Sequence, residues 1–246
     1  MFYRWLIGDM GTPGLYEYKA IHIYTTIVVF FVLTIFIILG LNKKISDKAK
    51  RNILIGISLF HIVFEILWRF IYFFVKKSSL VDLYPMYPCN LGGVIIPIIA
   101  LINKNTLKQI FYVFGFVGAI LTFAMPGGIF STDVLVFPVL KSILQHTGLL
   151  LIPAFEYVSG TFKTSVKYYP FLIIGCLIHL LNAEVIDRLV LGLTGDYMYY
   201  RSGLPFVING IPQWITFSVF GATVFYIIEF ILGPKESIEF YKRIFK

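Results

Sequence analysis

Long apolar stretches separated by short polar segments run along almost the whole chain. Most of them approach the roughly 20 apolar residues that a helix needs to cross a bilayer. They do not alternate apolar and polar residues over about 10 positions, as strands of a membrane β-barrel would. The pattern therefore predicts an all-α membrane protein of about seven transmembrane helices. The predicted spans lie near residues 20–41, 52–75, 83–102, 107–130, 134–158, 168–190 and 204–232.

The first 19 residues differ from the rest because charged and aromatic positions are mixed there. Phe2, Tyr3 and Trp5 suit the headgroup zone of a membrane, so we expect an interfacial N-terminal segment. No apolar core followed by a small-residue cleavage site is visible, which argues against a secretory signal. The segments between spans are too short for a soluble domain, and residues 1–246 are interpreted as one polytopic membrane domain.

Composition excludes the main alternatives to a membrane protein. Hydrophobic residues make up 58% of the chain and charged residues 14%, whereas soluble domains carry about 25% charged residues. Disordered chains combine low hydrophobicity with high net charge, which this chain does not. Two cysteines cannot define a disulfide framework.

The net charge of +8 is interpreted as a topology signal and not as nucleic-acid binding. Thirteen of the 21 Lys and Arg residues fall on the side that holds the first loop and the C-terminus, and six on the other side. Because cytoplasmic loops are enriched in these residues, we expect the N-terminus outside and the C-terminus in the cytoplasm. Lysine outnumbers arginine and isoleucine is abundant, which favours a bacterial plasma membrane.

Polar side chains inside the predicted spans are candidates for function, because each costs free energy unless it is paired or hydrated. Several fall in the predicted outer half of the bundle: Glu65, Arg69, Cys89, Asn90, Lys141, Gln145, His146, His179 and Asn182. The loop with Asp196 and Tyr197 lies on the same side, so we expect a cavity open to the outer leaflet. An alternative for Glu65 and Arg69 is a structural ion pair, since they are spaced i, i+4. Glu156 and Glu229 lie near predicted cytoplasmic ends, where we expect them to reach water.

Cys89 has an unusual position. Proline favours the first turn of a helix, so Pro88 predicts that Cys89 is the second helical residue. Its sulfur would then lie near free backbone N–H groups and the positive end of the helix dipole, which favour a thiolate. With a histidine on another helix, this satisfies the requirements of an activated nucleophile. By spacing alone, any cysteine and histidine would qualify. No nucleotide, zinc or serine-hydrolase motif occurs, so we expect no cofactor and no metal.

Three segments resemble a known family. Residues 84–91 (YPMYPCNL) are similar to the Leu-Pro-Leu-His-Leu-Cys-(Asp/Asn) motif of the bacterial YwaF-type membrane proteins, which are related to the transmembrane protein 164 acyltransferases. Residues 144–148 (LQHTG) are similar to the family's His-Gly segment. Residues 195–200 (GDYMYY) are similar to its Gly-Thr-Asn-Tyr-Met-Tyr-Leu loop. The departures are Tyr87 for His, Pro88 for Leu and Asp196 for Asn.

The resemblance implies a lipid acyltransferase with membrane phospholipids as substrates. By position, Cys89 is the nucleophile that forms an acyl-thioester, and His146 is the general base and then acid. The same resemblance makes Asn90, Gln145, Asn182 and Tyr197 candidates for polar support. His179, Asp196, Arg69 and Glu65 complete the expected substrate-binding set.

Other functions remain open from the sequence. If water attacks the thioester, the same pair makes a phospholipase. A transporter or a lipid- or solute-binding protein with a polar outer-leaflet cavity is the main alternative, although the inverted repeat of many transporters is not evident. A structural protein whose polar residues only pair with each other is a further alternative. No feature of the sequence indicates an oligomeric state.

Overall fold

The computed structural model describes residues 1–127, 129–194 and 211–244, and most of these residues are in helices. Within them, β pairing is limited to an isolated bridge between Pro13 and Thr132. The helices are α1 (Phe2–Ile7), α2 (Ala20–Leu41), α3 (Asp47–Phe74), α4 (Pro88–Ile102), α5 (Asn105–Ala124), α6 (Phe137–Val158), α7 (Tyr169–Leu181), α8 (Gln213–Leu232) and α9 (Pro234–Ile244).

Three shorter helical segments connect to these helices. Short 3₁₀ turns at Val81–Leu83 and Val166–Tyr168 precede α4 and α7, and a π-helix at Asn182–Val190 continues α7. Such π-helical segments are rare in proteins, and those that occur are often found at functional sites. The π-helix here brings Asn182 to the site described below.

Local sequence explains where several helices begin and end. Ser46 caps α3, and its hydroxyl accepts a hydrogen bond from the N–H of Ala49 at 3.2 Å. Pro88 occupies the first turn of α4, where its missing N–H costs nothing. Asn103 ends α4 in the left-handed conformation, with φ 58°, which asparagine tolerates better than most residues. The predicted start of α4 at Pro88 is confirmed.

Helix α6 is the centre of the bundle. It packs against α1, α2, α3, α4 and α5, and every residue from 145 to 153 is buried. Helix α7 packs on α5, and α8 packs on α5 and α7. Side chains on different faces of α6 therefore meet different helices, and α6 carries both Gln145 and His146.

The helices are those of a multi-pass membrane protein by length and composition. In the described ranges, four segments are long and apolar enough to cross a bilayer: Ala20–Leu41, Asp47–Phe74, Asn105–Ala124 and Val166–Val190. The α8 and α9 pair is a fifth candidate, but it bends by 106°. Helix α4 is apolar and shorter. On α2, large apolar side chains such as Phe31, 65% exposed, cover the outer surface, which suits lipid.

Most predicted spans coincide with helices, with shifted ends. Helix α3 begins five residues earlier than predicted because of the Ser46 cap, and α5 ends at Ala124, before the turn that contains Pro126. The third predicted span begins at the last residue of a 3₁₀ turn, and its helix, α4, starts only at Pro88. The first part of the predicted 204–232 span lies outside the described residues.

Candidate functional site

Glu65 of α3 is the centre of a buried polar group of side chains from α3, α4 and α6. Its carboxylate forms an ion pair with Arg69 and accepts hydrogen bonds from Trp68 Nε1 and Gln145 Nε2, both at 2.8 Å. The i, i+4 pairing of Glu65 with Arg69 is thus confirmed. We call Glu65, Trp68, Arg69, Asn90, Lys141 and Gln145 the Trp68 cluster.

Gly93 lets α4 approach this cluster closely. A Cβ atom at this position would lie 2.7 Å from Gln145 Nε2 and 3.0 Å from Glu65 Oε1. Contacts of that length are too short for a side chain to be accommodated without displacement. Gly93 lies one turn after Cys89, so the same face of α4 presents the thiol and contacts the cluster.

Cys89 lies in the first turn of α4, where sequence reasoning placed it. Its Sγ lies close to the backbone N–H groups of residues 89 and 90, which have no carbonyl partner within the helix. Sγ is 3.9 Å from Asn90 Oδ1, and that same oxygen is 3.4 Å from Lys141 Nζ. Asn90 therefore lies between the thiol and the ammonium group.

Two cations share the indole ring of Trp68. Arg69 Cζ lies 4.3 Å and Lys141 Nζ 4.2 Å from the ring centroid, distances typical of cation–π contacts. Among the described residues, Glu65 supplies the carboxylate of the cluster. Arg69, Trp68 and Gln145 all donate hydrogen bonds to it. By formal charge, the cluster therefore holds two cationic side chains against one carboxylate.

His146 occupies the next position after Gln145 and faces a different direction. Its Nδ1 is 2.7 Å from the carbonyl oxygen of Ser142. A carbonyl can only accept, so Nδ1 carries the hydrogen and Nε2 of the neutral ring keeps its lone pair. No hydrogen bond joins His146 to Cys89. The charge of Lys141 acts on both side chains.

The segment before α4 is held by two other helical segments. Arg69 Nε donates to the carbonyl of Leu83 at 3.2 Å, and Asn182 Nδ2 donates to the carbonyl of Pro85 at 2.9 Å. Tyr84 donates its hydroxyl to Asn182 Oδ1 at 2.6 Å. Asn182 thus fixes the approach to Cys89 and lies outside the Trp68 cluster.

His179 does not join the expected site. Its ring stacks on Phe114 with centroids 4.4 Å apart and meets Phe111 edge to face at 5.9 Å. His179 is 2% exposed and packs in the interface between α5 and α7. Its depth along the helix predicted a place at the site, but the face of α7 that carries His179 packs on α5. Asp196 and Tyr197 lie outside the described residues.

A partly open apolar groove of about 670 Å³ lies between α2, α3 and α6, a volume in the range of small-molecule sites. Among its lining residues are Val32 and Phe36 of α2, Ile57 and Phe60 of α3, and Leu144 and Leu151 of α6. His61, one turn before Glu65, also lines it. The groove is therefore adjacent to the Trp68 cluster along both α3 and α6.

A second buried polar network lies elsewhere in the bundle. Lys108 of α5 forms an ion pair with Glu156 of α6, and Tyr112 donates its hydroxyl to the same carboxylate at 3.0 Å. We call Lys108, Tyr112 and Glu156, with Asn103, the Glu156 network. Glu229 is also buried and bonded to Thr164. The prediction that Glu156 and Glu229 reach water is wrong, because neighbouring helices cover both carboxylates.

Sequence reasoning missed Trp68 as a site residue. An aromatic residue on an apolar helix gives no signal of function, although its position between Glu65 and Arg69 on α3 was available. Gly93 was missed for a similar reason, because only the packing of α4 on α6 reveals the need for a glycine. Lys141 was predicted as an intramembrane cation, and in the structure it contacts the same Asn90 oxygen as Cys89.

The family model described as the TMEM164 family matches residues 16–232, which includes every described residue of the Trp68 cluster, Cys89 and His146. No curated protein and no solved structure matches the chain. The family match supports the resemblance noted for the segments around Cys89 and His146. Because the match covers most of the sequence, the chain belongs to the TMEM164 family.

Proposed function

We propose that this protein is a membrane-embedded acyltransferase that moves a fatty acyl chain between phospholipids through a thioester on Cys89. The observation that carries the proposal is the position of the thiol. It lies at the start of α4, beside a polar cluster with surplus positive charge. The two helices that carry most of this cluster, α3 and α6, also line an apolar groove. A phospholipid combines the same three features: a reactive ester, a negatively charged phosphate and an acyl chain.

In the first half-reaction, His146 Nε2 takes the proton from Sγ, and the thiolate attacks the ester carbonyl. The carbon–sulfur bond forms, the ester carbon–oxygen bond breaks, and His146 returns the proton to the departing lysophospholipid hydroxyl. The step requires His146 Nε2 and Sγ to approach each other when the lipid binds, because no hydrogen bond joins the two side chains in the structure and catalytic contacts tighten in a substrate complex.

In the second half-reaction, the acceptor lysophospholipid gives its hydroxyl proton to His146 and attacks the thioester. The new ester carbon–oxygen bond forms, the carbon–sulfur bond breaks, and Sγ takes the proton back from His146. The developing oxyanion requires donors within about 3 Å. The free N–H groups of residues 89 and 90 and the side-chain amide of Asn90 are the nearest candidates, while Gln145 and Asn182 position the surrounding segments.

The proposal includes a topology and a location. Seven spans with the N-terminus outside would place Cys89 in the outer half of a bacterial plasma membrane, and the three motif segments favour the YwaF-type branch of the family. If water replaces the acceptor, the same residues make a phospholipase. A lipid-binding or transport protein is the alternative in which no ester is cleaved.

The test is acyl transfer in vesicles that contain a phospholipid with an isotope-labelled acyl chain and an unlabelled lysophospholipid. We expect label in the acceptor with the wild type and with Cys176→Ala, which removes the other cysteine, and none with Cys89→Ala. Label found only as free fatty acid would identify a phospholipase. Equal transfer by Cys89→Ala and the wild type would overturn the proposed role of Cys89. If the folded wild type cleaves no phospholipid ester, the proposal that the protein is an enzyme would be overturned.

A further inference from the structure

Two positively charged groups of the Trp68 cluster have unused binding capacity. Lys141 Nζ has one hydrogen-bond contact among the described residues, a long one of 3.4 Å to Asn90 Oδ1. Arg69 uses Nη1 for Glu65 and Nε for Leu83, and its Nη2 is buried without a partner. A buried donor without a partner costs free energy, and so does a cation held away from bulk water without an anion. Both features point to an anionic ligand.

The site is next to the thiol. Asn90 Oδ1 contacts Cys89 Sγ at 3.9 Å and Lys141 Nζ at 3.4 Å, so a ligand held by Lys141 is within reach of the nucleophile. Trp68 fixes both cations over one ring, and Arg69 also holds the carbonyl of Leu83 in the segment before α4. The cations therefore have a defined position relative to the first turn of α4.

We infer that Arg69, Lys141 and Asn90 bind the phosphodiester group of the lipid substrate. This inference rests on the proposed function for the reacting ester, whereas the binding itself requires no chemistry. The surplus of one positive charge matches a phosphodiester, which carries one negative charge. Charge-assisted hydrogen bonds from arginine and lysine are the usual means of holding such a group. The glycerol backbone then places the ester near Cys89 and directs an acyl chain towards the adjacent groove.

The experiment measures binding and not turnover, in the Cys89→Ala background and in a neutral detergent. The probes are dioctanoyl phosphatidylglycerol, dioctanoylglycerol and inorganic phosphate, titrated by calorimetry. We expect the phosphodiester lipid to bind about tenfold more tightly than the neutral lipid, because one charge-assisted hydrogen bond is worth about that factor. Adding Lys141→Gln removes most of this preference, and Lys141→Arg retains it.

Lys76→Gln is the matched control. Lys76 also lies over an aromatic ring of α3, with Nζ 4.8 Å from the Tyr72 centroid, but it is exposed and outside the cluster. We expect its variant to bind all three probes as the parent does. Thermal unfolding confirms that each variant is folded before its affinity is compared.

Equal affinity of the parent for the two lipids would overturn the inference. An equal loss of affinity for both lipids in Lys141→Gln would also overturn the inference, because the substitution would then act on the structure and not on phosphate binding. Binding of inorganic phosphate as tight as that of the lipid would assign the site to free phosphate instead. A phosphate-dependent affinity in a protein that transfers no acyl chain would retain this subsite and reject the acyltransferase.

Discussion

The Glu156 network and the Trp68 cluster are both buried, polar and centred on a glutamate, but their charges are arranged differently. The Glu156 network has one cation and one carboxylate, with side chains 1% and 0% exposed. Lys108 also donates to Asn103 Oδ1 at 2.6 Å, and the Tyr112 hydroxyl donates a hydrogen bond to the other oxygen of the Glu156 carboxylate. The Trp68 cluster has two cations for one carboxylate, and Arg69 keeps 21% of its side chain exposed.

This difference separates a structural role from a binding role. A buried ion pair with complete hydrogen bonding needs nothing further, and it joins α5 to α6. The surplus charge, the buried free donor of Arg69 and the adjacent thiol leave the Trp68 cluster incomplete. We therefore expect substitutions in the Glu156 network to change stability, and substitutions in the Trp68 cluster to change lipid binding and chemistry.

The largest expected effect is that of Lys108→Met. Removing one partner leaves the Glu156 carboxylate buried and unpaired, which costs about 3–5 kcal/mol. Lys141→Met removes a surplus cation and its cation–π contact, so its cost is about 1–2 kcal/mol. Thermal unfolding of the two variants in one detergent makes the comparison. Equal destabilisation would contradict the distinction between the two regions.

A double variant sharpens this result. Lys108→Met combined with Glu156→Gln removes both charges and leaves an amide that Tyr112 can still contact. We expect it to regain a large part of the lost stability, because the uncompensated charge is gone. If the double variant is as unstable as Lys108→Met, the loss arises from packing and not from charge.

Gly93→Ala is expected to have the next largest effect. The added Cβ would displace Gln145 and Glu65, at a cost of about 1–3 kcal/mol for overpacking, and acyl transfer should fall with it. Gly118→Ala on α5 is the matched control, since nothing lies within 4 Å of its Cβ position. We expect that control to be neutral or stabilised by about 0.5–1 kcal/mol. Unfolding and transfer assays on both variants test the close approach of α4.

Tyr84→Phe has the smallest expected effect on stability. It removes one hydrogen bond, from the hydroxyl to Asn182 Oδ1, which is worth about 0.5–1.5 kcal/mol. The segment before α4 keeps its contacts to Arg69 and to Asn182 Nδ2. We expect a reduced transfer rate, because this segment sets the approach to Cys89, with little change in unfolding temperature. An unchanged transfer rate would show that the Tyr84 hydroxyl does not help to position Cys89 and that the ring contributes only packing.

Much of the fold follows from the apolar pattern, and the site follows only in part. The length of the apolar stretches located the helices, and Pro88 located Cys89, because both are properties of local sequence. The Glu65–Arg69 pair was predictable from its spacing on one helix. These features do not depend on how the helices pack.

Other features depend on packing and were not available from the sequence. Depth along a helix placed His179 with the site, but the face of α7 that carries it packs on Phe114. Glu156 was expected near a cytoplasmic end, and only the central position of α6 explains its burial with Lys108. Trp68 became part of the site because α6 brings Lys141 over its ring.

The most direct test of the central claim is the mass of the intact protein after incubation with a phospholipid of defined acyl chain. The account predicts one added acyl mass, lost on hydroxylamine treatment, on the wild type and on Cys176→Ala, and absent from Cys89→Ala. The same mass on Cys89→Ala, or no added mass on folded wild type with several phospholipid classes, would contradict it.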